Sequence, residues 1–203
     1  MNKKIIIYFI LLLLLGCICF SLSGCYTTQS LDDLAYAVAI GVDVGKDNRL
    51  NFTLQFTKPT SSTGEGSSQS SPSIVYSVEC SSIDSGLNLM NSYISKQIYL
   101  SHCKVIVFSE EIAKQGISKE IYTLFNKVQV RPNANIIVTK CDAKDFIENS
   151  EPALENLVAK YYEIAPQSSE YTGYTANVTI GQFFNSLTDT FSEPFAILRW
   201  IKL

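Results

Sequence analysis

Residues 37–57 read AVAIGVDVGKDNRLNFTLQFT, and their pattern decides the fold class. Residues 37–44 are apolar apart from Gly41 and Asp43, and read as a strand. Gly45, Lys46, Asp47 and Asn48 supply turn chemistry. From Leu50 the chain alternates. Leu50, Phe52, Leu54 and Phe56 fall on one face, and Asn51, Thr53, Gln55 and Thr57 on the other. That is the signature of a half-buried strand. Two strands about a turn of roughly four residues predict a hairpin.

Working outward, residues 73–80 alternate again, with Ile74, Tyr76 and Val78 opposed to Val75. Ser82 is placed to cap a helix from Ile83, whose stripe of Ile83, Leu87, Met90 and Ile94 has helical spacing. Residues 103–108 form a short apolar run, predicting a strand covered on both faces. Ser109, Glu110 and Glu111 then signal a helix start, with acids at the positive end of the dipole. Gly116 should end that helix, and a second is expected over residues 118–127. Residues 134–139 read as the next strand, and Asp142 as the cap of a short helix through Glu148. Pro152 suits the first turn of an amphipathic helix over residues 153–164. Residues 167–175 are polar and Tyr-rich, and Thr179 is placed to cap a last helix carrying Ile180, Phe183, Phe184 and Leu187. Residues 59–73 are rich in Ser, Thr and Gly, which predicts a surface loop. Strands alternating with helices imply an α/β fold, a central sheet with helices packed on it, and the hairpin makes that sheet mixed.

Upstream of the fold lies a different kind of segment. Lys3 and Lys4 precede an almost unbroken apolar run over residues 5–20, and Leu22, Ser23, Gly24 and Cys25 follow. Basic, apolar and small-residue regions in that order form a removable export signal. The small residues ahead of Cys25 make the LSGC sequence a bacterial lipobox. Residues 1–24 are therefore expected to be the signal peptide, and Cys25 the first residue of the mature protein. Its sulfur would carry diacylglycerol and its amino group an acyl chain. The competing reading is an uncleaved transmembrane anchor. A span wants about 20 apolar residues, and this run falls just short. A buried methylene contributes about 0.8 kcal/mol, and stable anchoring takes more than one chain, which a diacylated cysteine supplies.

The remaining residues 25–203 suffice for one well-cored domain. The chain has a net charge of −3, to which Lys3 and Lys4 contribute positively. No basic stripe follows them, so nucleic acid is not the expected partner. Of six cysteines, Cys17 and Cys19 leave with the signal and Cys25 takes lipid. Cys80, Cys103 and Cys141 show neither CxxC nor metal-type spacing and read as buried small apolar residues. Export permits a disulfide among them, but nothing in the spacing indicates one. No metal or cofactor is expected.

Three segments carry a resemblance. LDDLAYAVAIGVDVGKDNRLNFTLQF follows the lipobox, then IYLSHCKVIVFSEEIAKQGI, then VQVRPNANIIVTKCDAKDFIE. In this order the chain resembles the amino-terminal part of the Ger(x)C family, the lipoprotein C subunits of spore germinant receptors. The likeness runs from about Gly24 to Ile147. It implies mixed α/β structure and three domains, of which the later ones are expected to be absent or truncated because the chain stops at Leu203. It implies anchoring in the bilayer, on the outer face of the spore's inner membrane. Its implied partners are two integral membrane subunits, A and B, with no catalysis by the C subunit. Only Cys25 carries over as a functional residue.

Two other readings were weighed. An envelope hydrolase would draw on the acid pairs Asp32 and Asp33 or Glu110 and Glu111, or on contiguous Ser101, His102 and Cys103. Neighbouring acids suit a helix start. Three contiguous residues have the wrong geometry for a triad, which is assembled from separated elements. No GxSxG, HExxH or P-loop is present. A solute-binding or other envelope-associated lipoprotein could use Tyr161, Tyr162, Tyr171 and Tyr174 as a ligand site, though the same tyrosines suit an interface.

Overall fold

The computed structural model describes residues 3–21, 33–57, 73–150, 155, 157–173 and 176–199. The chain divides into two units, residues 1–31 and residues 32–203. In the first, α1 (Lys3–Ser21) exposes its apolar side chains over residues 5–15. Among the residues whose side chains are described, no helix is long and apolar enough to cross a membrane.

The second unit is an α/β domain on a mixed sheet. β2 (Leu50–Thr57) pairs antiparallel with both β1 (Leu34–Val44) and β3 (Ser73–Cys80). The expected hairpin turn holds Asp47 at φ 54°, and Gly45 N–H donates to Arg49 O at 2.7 Å. α2 (Ile83–Tyr93) follows, with the expected cap at Ser82 completed into a capping box by Ser85. Next come β4 (Gln97–Tyr99), β5 (Val105–Ser109), α3 (Glu110–Gln115) and α4 (Ser118–Phe125). Gly116 separates the last two at φ 97°, a conformation that favours glycine. β6 (Asn135–Thr139), α5 (Ala143–Glu148), α6 (Val158–Ile164), α7 (Ser169–Thr172), α8 (Ile180–Thr188) and β7 (Ile197–Arg199) complete the described strands and α-helices. The strand order is β3-β2-β1-β5-β6-β7, with β4 also paired to β1. β1, β4, β5, β6 and β7 are mutually parallel where they pair.

Two irregularities shape β1. Ala37 faces Phe56 and Ala39 faces Gln55, so Val38 is an extra residue in its strand. This bulge places Val38 and Ala39 in one core layer, while Ala37 and Ile40 lie in the other. Secondly, the register of β1 jumps by three residues between its partners β4 and β5. Ser101 and His102 form a turn in that gap. Lys104 N–H, donating to Val38 O at 2.9 Å, resumes the ladder at the bulge.

Each face of the sheet is covered. On one, Ile40, Phe52, Leu54, Ile106 and Phe108 pack under residues of α2, α3, α4 and α8. Phe125 stacks on Phe184 at 3.9 Å, which joins α4 to α8. On the other face, Ala39, Val105, Val107 and Ile137 pack under Phe146 and Ile147 of α5 and Val158 and Tyr162 of α6. Each such large apolar side chain contributes roughly 1.5–3 kcal/mol when fully buried.

The second layer corrects several expectations. β2 is not half-buried: Thr53 and Gln55, on its polar face, are buried as fully as Phe52. One polar atom of each finds a partner there, while Gln55 Oε1 has none. Thr53 Oγ1 lies 2.9 Å from Ser77 Oγ, and Gln55 Nε2 donates to Ser73 Oγ at 3.1 Å. α6 begins at Val158, not at residue 153, because Leu157 is extended (φ −118°, ψ 118°). Pro152 lies outside the described residues. The apolar stretch near the carboxyl end is a strand: Ile197–Arg199 pair in parallel with residues 137–139. The expected surface loop of residues 59–73 lies almost wholly outside the described residues.

Candidate functional site

At the end of the sheet where β1 begins, the side chains leave an apolar groove of ≈300 Å³. β1 contributes Leu34 and Tyr36, β2 Phe56, β3 Ile74 and Tyr76, and the chain after α2 contributes Ile94. Lys96 stands at its lining with an exposed side chain. The groove exists because β3 is an edge strand, where α2 covers the far end, near Cys80, and leaves Tyr76 49% exposed. Aromatic contacts fix its walls. Tyr76 meets Phe56 edge-on at 6.2 Å, and Tyr36 meets Tyr99 at 5.9 Å and His102 at 4.6 Å.

The residues that a hydrolase would draw on are not brought together into a site. His102 is exposed on its turn, with Nδ1 3.2 Å from Ser101 Oγ. Its basicity is lowered by partial burial and by nearby Arg131 and Lys104. Cys103 points away into the core and donates its thiol to Val105 O. Burial pushes that thiol up to about 12, so it is protonated and a poor nucleophile at neutral pH. Glu110 pairs with Lys114 at 3.0 Å, as a helix-surface acid does, and Glu111 is exposed. Asp33 is exposed and Asp32 lies outside the described residues. Among the described residues, no group of three His, Cys, Asp or Glu side chains could hold a metal ion. Cys80, Cys103 and Cys141 are free thiols; Cys141 is only partly buried, against the expectation of a core position.

The tyrosines expected to cluster do not. Tyr162 is buried in the second core layer and Tyr161 packs beside it, whereas Tyr171 is 81% exposed. Tyr174 lies outside the described residues. Cys25, the lipid acceptor expected from the lipobox, also lies outside them.

A second polar feature is structural. Asp43, buried near the end of β1, accepts from Ala143 N–H at 2.5 Å and Lys144 N–H at 3.0 Å. It caps α5 in place of Asp142, whose side chain makes no cap hydrogen bond. Burial raises the Asp43 pKa above the ordinary carboxylate value, and the charge of Asp142 adds to this. The two N–H donors oppose it.

Sequence reasoning located the strands that wall the groove but not the groove itself. Its signal was present in the tyrosines at positions 36, 76 and 99: Tyr36 pairs with Tyr99 across β1 and β4, and Tyr36 and Tyr76 both line the groove.

A family model described as the spore germination protein N-terminal domain matches residues 27–198. Spore germination protein KC of Bacillus subtilis (strain 168) is 29% identical over 137 residues, covering 64% of this chain and 34% of that protein. The putative spore germination protein YfkR of the same organism is 26% identical over 185 residues, covering 88% of this chain and 46% of that protein. The chain thus spans less than half the length of these relatives. No solved structure matches it. With the family model covering nearly the whole α/β domain, from residue 27 into β7, the chain belongs to the family of spore germination proteins with this N-terminal domain.

Proposed function

We propose that this protein is a membrane-anchored lipoprotein subunit of a spore germinant receptor. It would act in nutrient-triggered germination by assembling with two integral membrane subunits, not by catalysis. The family match over residues 27–198 carries this reading, and the names of both relatives agree with it. The LSGC sequence ending at Cys25 supports the anchoring step. A lipid on Cys25 would hold the domain at the outer face of the spore's inner membrane. Confinement to that surface would raise its effective concentration near membrane partners.

The arrangement of the domain suits a docking role. His102 touches groove residue Tyr36, and the groove itself is chiefly apolar and aromatic. The test is genetic. Spores carrying Cys25→Ala in the chromosomal copy should respond poorly to nutrients and release the protein from the membrane fraction. Normal germination with a released protein would contradict the anchoring step.

A further inference from the structure

We propose that the groove end of the domain rests in the headgroup region of the bilayer that holds the Cys25 lipid. Leu34, Tyr36, Ile74 and Tyr76 would then face phospholipid. This inference rests on the anchoring reading above and adds an orientation to it.

Three observations carry it. The first is reach. Eight residues, 26–33, lie between Cys25 and Leu34, nine residue steps in all. At about 3.3–3.6 Å per residue, the start of β1 cannot lie more than about 30 Å from the acylated cysteine. The other end of β1, at Val44, lies a strand length further along. The second is side-chain chemistry. Tyr36, Tyr76 and Tyr99 are grouped at this end, and exposed Tyr93 closes α2 beside groove residue Ile94. Tyrosine has an apolar body and a polar tip, the pairing that enriches it at membrane interfaces. Lys96 can lay its stem along the apolar wall and keep its ammonium among the headgroups. The third is the lining itself. Lys96 is its single charged residue among the described ones, so the contact is chiefly apolar and should persist in high salt. A diacyl anchor already holds a protein stably, so the groove would set orientation rather than affinity.

The test is photo-crosslinking in the full chain, produced in its own membranes. Tyr76→p-benzoylphenylalanine reports on the groove. Tyr93→p-benzoylphenylalanine, at a 74% exposed site, is a second reporter that cannot disturb the core. Glu111→p-benzoylphenylalanine, on α3 after the opposite end of the sheet, is the control. The expected result is a phospholipid mass on the peptides bearing positions 76 and 93, in several-fold higher yield than at position 111, with and without high salt. A protein adduct at position 76 would overturn the proposal in favour of a protein partner, and equal lipid yields at 76 and 111 would overturn it outright. Mass analysis of the amino-terminal peptide separates the two levels. Acylated Cys25 without lipid adducts at 76 and 93 leaves anchoring standing and refutes the orientation, whereas unmodified Cys25 refutes both.

Discussion

Asp43 on β1 caps a helix that begins a hundred residues later, by accepting the N–H of Ala143. A second bond from Lys144 makes the carboxylate a clamp between the sheet and α5. Helix N-termini leave backbone donors without partners, and a side-chain acceptor satisfies them. Asp43→Ala should therefore orphan two N–H groups where water is scarce, destabilising the domain by on the order of 2–3 kcal/mol in urea melts. A loss within error would show that α5 does not depend on this contact.

Asp43 also predicts a pH dependence. Its folded pKa is raised, chiefly by burial. The folded state therefore holds the proton more tightly than the unfolded chain does. The resulting stabilisation is fully present below the ordinary carboxylate pKa, and is lost as pH climbs through the raised folded value. Asp43→Asn removes this titration. The stability of wild type relative to Asp43→Asn should fall with rising pH across that window. A difference that grows with pH would reverse the sign of the argument.

Gly41 lies two residues before Asp43 on the same strand face. A Cβ there would stand 2.9 Å from Ile147 Cδ1 and 3.1 Å from Thr53 Cβ. α5 can close on β1 because that side chain is missing. Gly41→Ala should cost about 1–3 kcal/mol through overpacking, and Gly41→Val more. Thermal melts of the two variants check this, and an unchanged midpoint in both would mean that α5 is free to shift.

Cys103 should be silent to thiol reagents in the folded protein at neutral pH, because its thiol is buried and raised to about 12. Of the domain cysteines Cys80, Cys103 and Cys141, the partly exposed Cys141 should be labelled first. Mass spectrometry after brief alkylation distinguishes them, and rapid native labelling of Cys103 would reopen a role for it as a nucleophile.

Local chemistry was legible in the sequence, and distant coverage was not. The turn at Gly45 and Asp47, the caps at Ser82 and Thr179, and the break at Gly116 each depend on a few neighbouring residues, and each is found where expected. Thr53 and Gln55 look like a solvent face because the helix that buries them is encoded some ninety residues downstream. Asp142 looks like the cap of α5, but a partner from β1 holds the donors instead. The bulge at Val38 leaves no mark in a run where every residue is small or apolar. Of the tyrosines near one another in sequence, Tyr161 and Tyr162 pack in the second core layer and Tyr171 is exposed, while the grouped ones came from separate strands.

Anchoring yields its own prediction. The mature protein should begin at Cys25, and its amino-terminal peptide should carry acyl chains. Mass spectrometry of the detergent-extracted protein reads this directly. A mature chain retaining Lys3 and Lys4 would instead support an uncleaved anchor.

The most direct test of the receptor reading is co-purification. The protein, tagged at its carboxyl end, would be extracted in detergent from spore membranes and its companions identified by mass spectrometry. Recovery of two integral membrane germination subunits is the predicted result. A folded, membrane-extracted protein that arrives alone would contradict assembly as its function.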